Sequence, residues 1–138
     1  MPKTRSILVV LIVMMVSVSA LFVFAQEKKE KPKTEVIEGT LVDLKCYAAG
    51  GFLTNEHGGM ENCGTMCAKG GLPVAIVDKD KNIHFLAVPA PAYADWVGEQ
   101  MRLTGTHGKN AHAAFIPEKI EMKDGDKWVE KKTAKTMM

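Results

Sequence analysis

Residues 34–47, TEVIEGTLVDLKCY, are rich in apolar and β-branched residues, and apolar side chains recur at even positions, which predicts a first β-strand. Side chains two residues apart point to the same face of a strand, so Val42, Leu44 and Cys46 share one face. Gly39 lies near the middle of the run and indicates a bulge or a sharp bend. The pattern therefore places Cys46 at the end of this strand, on the face that turns toward the interior.

Two further apolar runs follow a long loop, PVAIVD at residues 73–78 and IHFLAV at residues 83–88. The polar stretch DKDKN joins them, and the combination predicts a β-hairpin of two mainly apolar strands. Pro91 suits the first position of a helix, so PAYADWVGEQ is expected to form a short helix that packs Trp96 and Val97. A helix therefore follows the third strand.

Two last strands complete the pattern. Residues 101–108, MRLTGTHG, alternate as a fourth strand, and residues 114–122 supply a fifth in which Pro117 requires an edge or bulge position. A long coiled first strand and a helix between the third and fourth strands match the order of an oligonucleotide/oligosaccharide-binding (OB) barrel. The sequence therefore predicts a mainly β fold, a small five-stranded OB-like barrel. In this fold residues 48–71 form a Cys- and Gly-rich insertion between strands 1 and 2.

The N-terminal segment differs from this domain in composition. Lys3 and Arg5 precede an apolar run from Ile7 to Phe24. Val23 and Ala25 then supply small residues at −3 and −1 of a cleavage point, an order typical of a secretory signal peptide spanning residues 1–25. We expect cleavage after Ala25, with an uncleaved membrane anchor as the alternative, because the run approaches the length of a bilayer span. Either outcome predicts an exported protein, periplasmic or extracellular, and cleavage would leave no membrane span.

The remaining chain divides into a polar linker at residues 26–33, the barrel domain at residues 34–122 and a charged tail at residues 123–138. The tail has little apolar periodicity, so we expect it to be frayed or loosely helical. The whole chain holds 18 Lys plus Arg against 16 Asp plus Glu, and loss of the signal peptide balances these charges. Arg102 would then be the one remaining arginine, which argues against a nucleic-acid partner.

The insertion contains seven of the twelve glycines in the chain and few apolar residues. Such a loop has too few apolar residues to be held in one conformation by a hydrophobic core of its own. We therefore expect a covalent bond or metal coordination to hold it. Its last part, ENCGTMCAKGG, predicts a helix from Cys63 to Lys69, capped by Asn62 and ended by Gly70 in the left-handed conformation. Cys63 and Cys67 then lie on one helix face, one turn apart.

These positions predict a metal site formed by Cys46, His57, Cys63 and Cys67, which would close the insertion around one ion. Zn²⁺ fits such a Cys₃His set. Cu(I) is the related alternative, because thiolate and thioether ligands suit it and Met60 and Met66 recur among the predicted ligands. His107 is a reserve ligand, since it shares a strand face with residues of the predicted core.

Two other interpretations stay open. In an oxidising compartment Cys46 can form a disulfide with Cys63 or Cys67, and the barrel would then be a stapled binding module for a peptide, a glycan or an envelope protein partner. The odd cysteine count argues against this, because it leaves a lone thiol. Thiol–disulfide redox activity of the pair Cys63 and Cys67 is less favoured, since the usual redox motif has two intervening residues. No hydrolase, phosphate-loop or metalloprotease motif occurs in the sequence, so we expect a protein that is not an enzyme.

The segments GTLVDLKCY, His57 and CGTMCAKGGLPVAIVD resemble a loosely defined group of small exported bacterial proteins. That group has a VD-x-x-CY…H…C-x-x-x-C…G-x-P-V signature ahead of an OB-like barrel, and no settled activity. The resemblance covers roughly residues 38–122 and implies that Cys46, Cys63 and Cys67 are shared positions together with His57. This chain departs from the usual CA-x-x-C by carrying Gly64 after the first cysteine of the pair, which would loosen the helical turn.

Overall fold

The computed structural model of this protein describes residues 33–132. The predicted signal peptide, most of the polar linker and the last six residues of the tail lie outside this part of the chain. The elements are β1 (Glu35–Asp43), α1 (Leu44–Gly50), α2 (Cys63–Lys69), β2 (Val74–Val77), β3 (Ile83–Leu86), a 3₁₀-helix (Ala90–Trp96), β4 (Gln100–His107), β5 (Ala114–Asp124) and β6 (Lys127–Lys131). No helix in the described range is long and apolar enough to cross a bilayer.

The six strands form one sheet in the order β3-β2-β1-β4-β5-β6. A further parallel pairing joins β3 to β5, so that β1 to β5 close into a ring, while all other neighbours are antiparallel. The 3₁₀-helix follows β3, and the segment that contains α1 and α2 connects β1 to β2. The prediction of a mainly β, OB-like fold with an insertion between strands 1 and 2 is therefore confirmed.

β1 changes neighbours along its length, because residues 35–40 pair with β4 whereas residues 40–43 pair with β2. Gly39 lies at the crossing, where a Cβ atom would collide with the backbone of Val77 and with the Ile76 side chain. The sequence correctly indicated that Gly39 marks an irregular position in β1. Its role is the close approach of β2 to the middle of β1.

The main apolar core fills the space inside the ring of strands. Its largest members are wholly shielded from solvent: Leu41, Ile76, Met101, Leu103 and Phe115. A second, smaller cluster of Val42, Ala75 and Val77 lies on the opposite face of β1 and β2, where Leu44 and Tyr47 of α1 pack against it. The prediction that the Val42 face turns toward the interior of the barrel is therefore wrong, and this face supports α1 instead.

The local predictions for the later elements are confirmed. The β2–β3 hairpin forms, and Pro91 lies in the first turn of the 3₁₀-helix. The pairing of β4 with β5 shifts register between Thr104 and Gly105, where Gly105 pairs with Pro117, so the proline lies at a bulge as predicted. Val97 is buried and Trp96 packs on the core.

The prediction of a frayed or loosely helical tail after residue 122 is wrong for the described residues. β5 continues to Asp124, the chain turns at Gly125 with a φ of 58°, and β6 pairs back along β5 as far as Ile120. The guanidinium carbon of Arg102 lies 4.7 Å from the centre of a Trp128 ring, which holds β6 against β4 and β5. The Asp-Gly pair is a common hairpin turn signal.

Candidate metal centre

Cys46 lies in α1 and not at the end of β1 as predicted. Asp43 ends the strand in an extended conformation, and its Oδ1 atom accepts a hydrogen bond of 2.7 Å from the backbone N–H of Cys46. This is the N-cap arrangement, in which a carboxylate takes up a backbone donor that the helix leaves free. The cap ends the extended conformation at Asp43, so Cys46 comes to lie in the first turn of a helix.

α2 spans Cys63–Lys69, as the sequence predicts, and it carries two of the three cysteines one turn apart. The predicted caps are different in the structure. Asn62 has a left-handed φ of 55° and makes no side-chain cap, and Gly70 is right-handed with a φ of −73°. The positive φ that ends this segment, 89°, belongs to Gly71.

Contacts with the rest of the domain hold α2 in place. The Asn55 backbone oxygen accepts a hydrogen bond of 3.0 Å from Gly64 N, and the Asn55 side-chain oxygen accepts one of 2.8 Å from Thr65 N. The Thr65 hydroxyl lies 3.0 Å from the carbonyl oxygen of Ala94 in the 3₁₀-helix. Gly64 approaches Val97 so closely that a Cβ would lie 2.6 Å from its Cγ1 atom. Gly64 therefore allows close packing, and Asn55 is a positioning residue that the sequence pattern did not single out.

The three cysteines of the chain form one cluster. The Sγ atoms of Cys46, Cys63 and Cys67 all lie within 4.8 Å of one another. Cys63 is buried, the other two are partly buried, and all three are free thiols. Sulfurs that share a tetrahedral Zn²⁺ at about 2.3 Å lie roughly 3.8 Å apart, so small side-chain rotations bring this cluster to the geometry of a metal site. Three of the four predicted ligands are thus brought together.

His57, the fourth predicted ligand, lies outside this group. Its ring stacks on Phe52 with a centroid separation of 4.7 Å, and Nδ1 lies 3.1 Å from the carbonyl oxygen of Thr54. The other ring nitrogen, Nε2, is buried and has no hydrogen-bond partner in the described chain. The reserve candidate His107 contacts Glu35 at 3.6 Å and is likewise not in the group.

The two methionines that favoured copper lie on the surface. The exposed fraction is 55% for Met60 and 63% for Met66. Met66 lies between the two cysteines of α2 in sequence but points away from the buried face of the helix, where Cys63 and Ala68 lie. Neither thioether is buried with the sulfur cluster, so the cysteines define the site.

The cysteine thiols lie in surroundings that disfavour negative charge. Burial raises the pKa of Cys46 to about 12, helped by a hydrogen bond and the charge of Asp43 and by the two neighbouring cysteines. Burial also raises the pKa of Cys67, and the charges of Asp43 and Cys63 act in the same direction. A cation at the cluster would reverse this balance, because cysteine binds a metal ion as a thiolate and its thiol releases a proton on binding.

The fold and the site define a small mainly β, OB-like domain with a three-cysteine cluster that can hold a metal ion. Comparison with known proteins found no matching family, no matching curated protein and no matching solved structure. Function is therefore inferred from the chemistry of the cluster.

Proposed function

We propose that this protein binds one thiophilic metal ion, Zn²⁺ or Cu(I), through Cys46, Cys63 and Cys67. The observation that carries the proposal is the mutual approach of the three Sγ atoms to within 4.8 Å. Cys46 lies in α1, separated in sequence from Cys63 and Cys67 of α2, so the sulfurs reach the cluster from two helices. Thiolate sulfur is a preferred ligand of both ions, so the donor set fits the metals that the sequence predicts.

A carrier or sensor role is better supported than a purely structural one. The insertion does not depend on the ion alone, because α2 is also held by Asn55 and by the packing of Gly64 on Val97. A site whose scaffold persists without metal can load and release an ion without unfolding, unlike a zinc finger. The predicted signal peptide would place this exchange outside the cytoplasm, in the cell envelope or the medium.

Metal content and thiol count test the proposal together. We would purify the chain without metal-affinity chromatography and measure bound metal, intact mass and the number of reactive thiols before and after chelation. The expected result is one bound ion per chain and three thiols that react only after the chelator is added. One reactive thiol and a mass lower by two hydrogens would overturn the proposal in favour of a disulfide-stapled binding module.

A matched pair of variants identifies the ligands. Cys67→Ser removes one sulfur with little change in volume, and we expect it to reduce metal retention strongly. Met66→Leu, one residue away and exposed, should retain metal as the unaltered protein does. Equal retention in both variants would contradict binding through the cysteine cluster. Cycling of the Cys63–Cys67 pair between dithiol and disulfide under a defined redox buffer would instead support redox activity.

A further inference from the structure

Asp43 is a buried carboxylate with one unused oxygen. Its exposed fraction is 2%, and among the larger residues of the described chain it belongs to the most deeply buried. Oδ1 caps α1 through the N–H of Cys46, whereas Oδ2 is buried and has no hydrogen-bond partner in residues 33–132. Buried carboxylate oxygens normally pair with a donor, a cationic side chain or a metal ion, because an unpaired charge is costly inside a protein.

This carboxylate belongs to the residue that caps the helix of Cys46. Asp43 precedes Cys46 by three residues, and the N-cap bond turns its side chain toward the first turn of α1. Its charge contributes to raising the pKa of both Cys46 and Cys67, which belong to different helices. The hydrogen bond to the Cys46 backbone therefore places this carboxyl group next to one ligand of the cluster, although its oxygens lie outside the 4.8 Å group of sulfurs. No ion pair of the described chain neutralises it.

We infer that Asp43 Oδ2 is the fourth donor of the site formed by Cys46, Cys63 and Cys67. This inference rests on the proposed function and refines it, because a set of three sulfurs and one oxygen favours a divalent ion. Zn²⁺ takes four ligands and accepts carboxylate oxygen among them, whereas Cu(I) is matched by soft sulfur donors. His57 is the competing fourth donor, and neither His57 nor Asp43 belongs to the group of sulfurs within 4.8 Å. The His57 ring is held by stacking on Phe52, whereas the Asp43 side chain is already bonded to the backbone of Cys46.

Charge supports the same choice of ion. Three thiolates and one carboxylate bring four negative charges into a partly buried site, and a divalent ion neutralises more of them than a monovalent ion does. Lys45 is the nearby cation, since its charge acts to lower the pKa of Cys67. Lys45 is an exposed residue, so its charge lies at the surface and does not replace a metal ion inside the site.

Asp43→Asn separates the ligand role from the cap role. Asn is as good an N-cap as Asp, so α1 should keep its first turn, but the variant loses the charged oxygen. We expect the affinity for Zn²⁺ and Co²⁺, measured by chelator competition, to fall by about 10–100-fold or more, as for loss of a metal-site partner. The affinity for Cu(I) should be unchanged within error. Asp80→Asn, on the exposed β2–β3 turn, is the control and should bind all three ions normally.

A measurement on the unaltered protein makes the test independent of variant folding. X-ray absorption of the Zn²⁺-loaded chain should show three sulfurs and one oxygen, without the multiple scattering of imidazole. His57→Ala should then leave Zn²⁺ affinity unchanged. Imidazole scattering, or an Asp43→Asn variant that binds Zn²⁺ normally, would overturn the role of Asp43 while leaving the cysteine site intact. Failure of the unaltered chain to bind any of the three ions would overturn the proposed function itself.

Discussion

The side-chain oxygen of Asn55 accepts hydrogen bonds from both the backbone N–H and the hydroxyl of Thr65, at 2.8 and 3.1 Å. Thr65 lies in the first turn of α2, where backbone N–H groups have no partner within the helix. Asn55, in the loop before α2, therefore caps this helix, whereas Asn62 at the usual N-cap position makes no side-chain cap. The position of Cys63 and Cys67 depends on this interaction.

Replacement of Asn55 by Ala should destabilise the domain and loosen α2. Removal of the acceptor leaves a largely buried donor unpaired, which costs about 1–3 kcal/mol. Chemical denaturation of the metal-free protein measures the loss, and Asn110→Ala, an exposed change of the same chemistry, is the control. Equal stability of the two variants would show that α2 is not held by Asn55.

Replacement of Gly64 by Ala should also destabilise the domain, although Ala is the better helix former. The added Cβ would lie 2.6 Å from Val97 Cγ1. Overpacking of this kind costs about 1–3 kcal/mol, which exceeds the gain of roughly 0.5–1 kcal/mol from helix propensity. The double variant Gly64→Ala, Val97→Ala should show a positive coupling in a double-mutant cycle, because it relieves the clash. Additive effects would contradict this packing argument.

Asn82 should control the ionisation of Asp78 in the β2–β3 turn. A hydrogen bond from the Asn82 side chain, followed by one from His84, lowers the pKa of Asp78 from 3.8 to about 2. Since the folded pKa is below the unfolded one, the stabilisation is present above about pH 4 and is lost as the pH falls toward 2. NMR titration of Asn82→Ala should show a raised Asp78 pKa, and an unchanged midpoint would refute the assignment.

Trp128 should stabilise the pairing of β6 with the sheet through its contact with Arg102. The guanidinium group lies over the Trp128 ring and donates two hydrogen bonds, of 3.0 and 3.1 Å, to the carboxylate of Glu121 in β5. Loss of a partly exposed cation–π contact costs about 0.5–1 kcal/mol. Hydrogen exchange of Trp128→Ala should therefore quicken in β6 and stay unchanged in β4. Lys127→Ala, on the same strand and exposed, is the control, and equal exchange in both variants would contradict this role.

The fold was predictable because its signals are local. Alternation, the DKDKN turn, Pro91 and Pro117 each specify one element without reference to distant residues. α1 was missed because the apolar alternation continues through Leu44 and Cys46, whereas the Asp43 cap overrides it. The missed strand β6 shows the same limit, since the Asp124–Gly125 pair was available as a turn signal.

The candidate site was predictable in part. Cysteine spacing predicted the shared helix face of Cys63 and Cys67, and the odd number of cysteines in a chain expected to be exported suggested that Cys46 joins them. Asn55 belongs to no sequence motif, and its role depends on a hydrogen bond with Thr65 that spacing does not predict. The position of His57 likewise depends on stacking with Phe52, which spacing cannot specify.

The N-cap of α1 has a mechanical consequence. Because Asp43 both ends β1 and begins α1, no flexible spacer separates the sheet from Cys46. This sulfur is therefore tied directly to the end of β1, whereas Cys63 and Cys67 lie on a helix that packs Ala68 into the main core and is bonded to Asn55 and Ala94. An ion bound by all three sulfurs would therefore join the end of β1 directly to the second helix of the insertion.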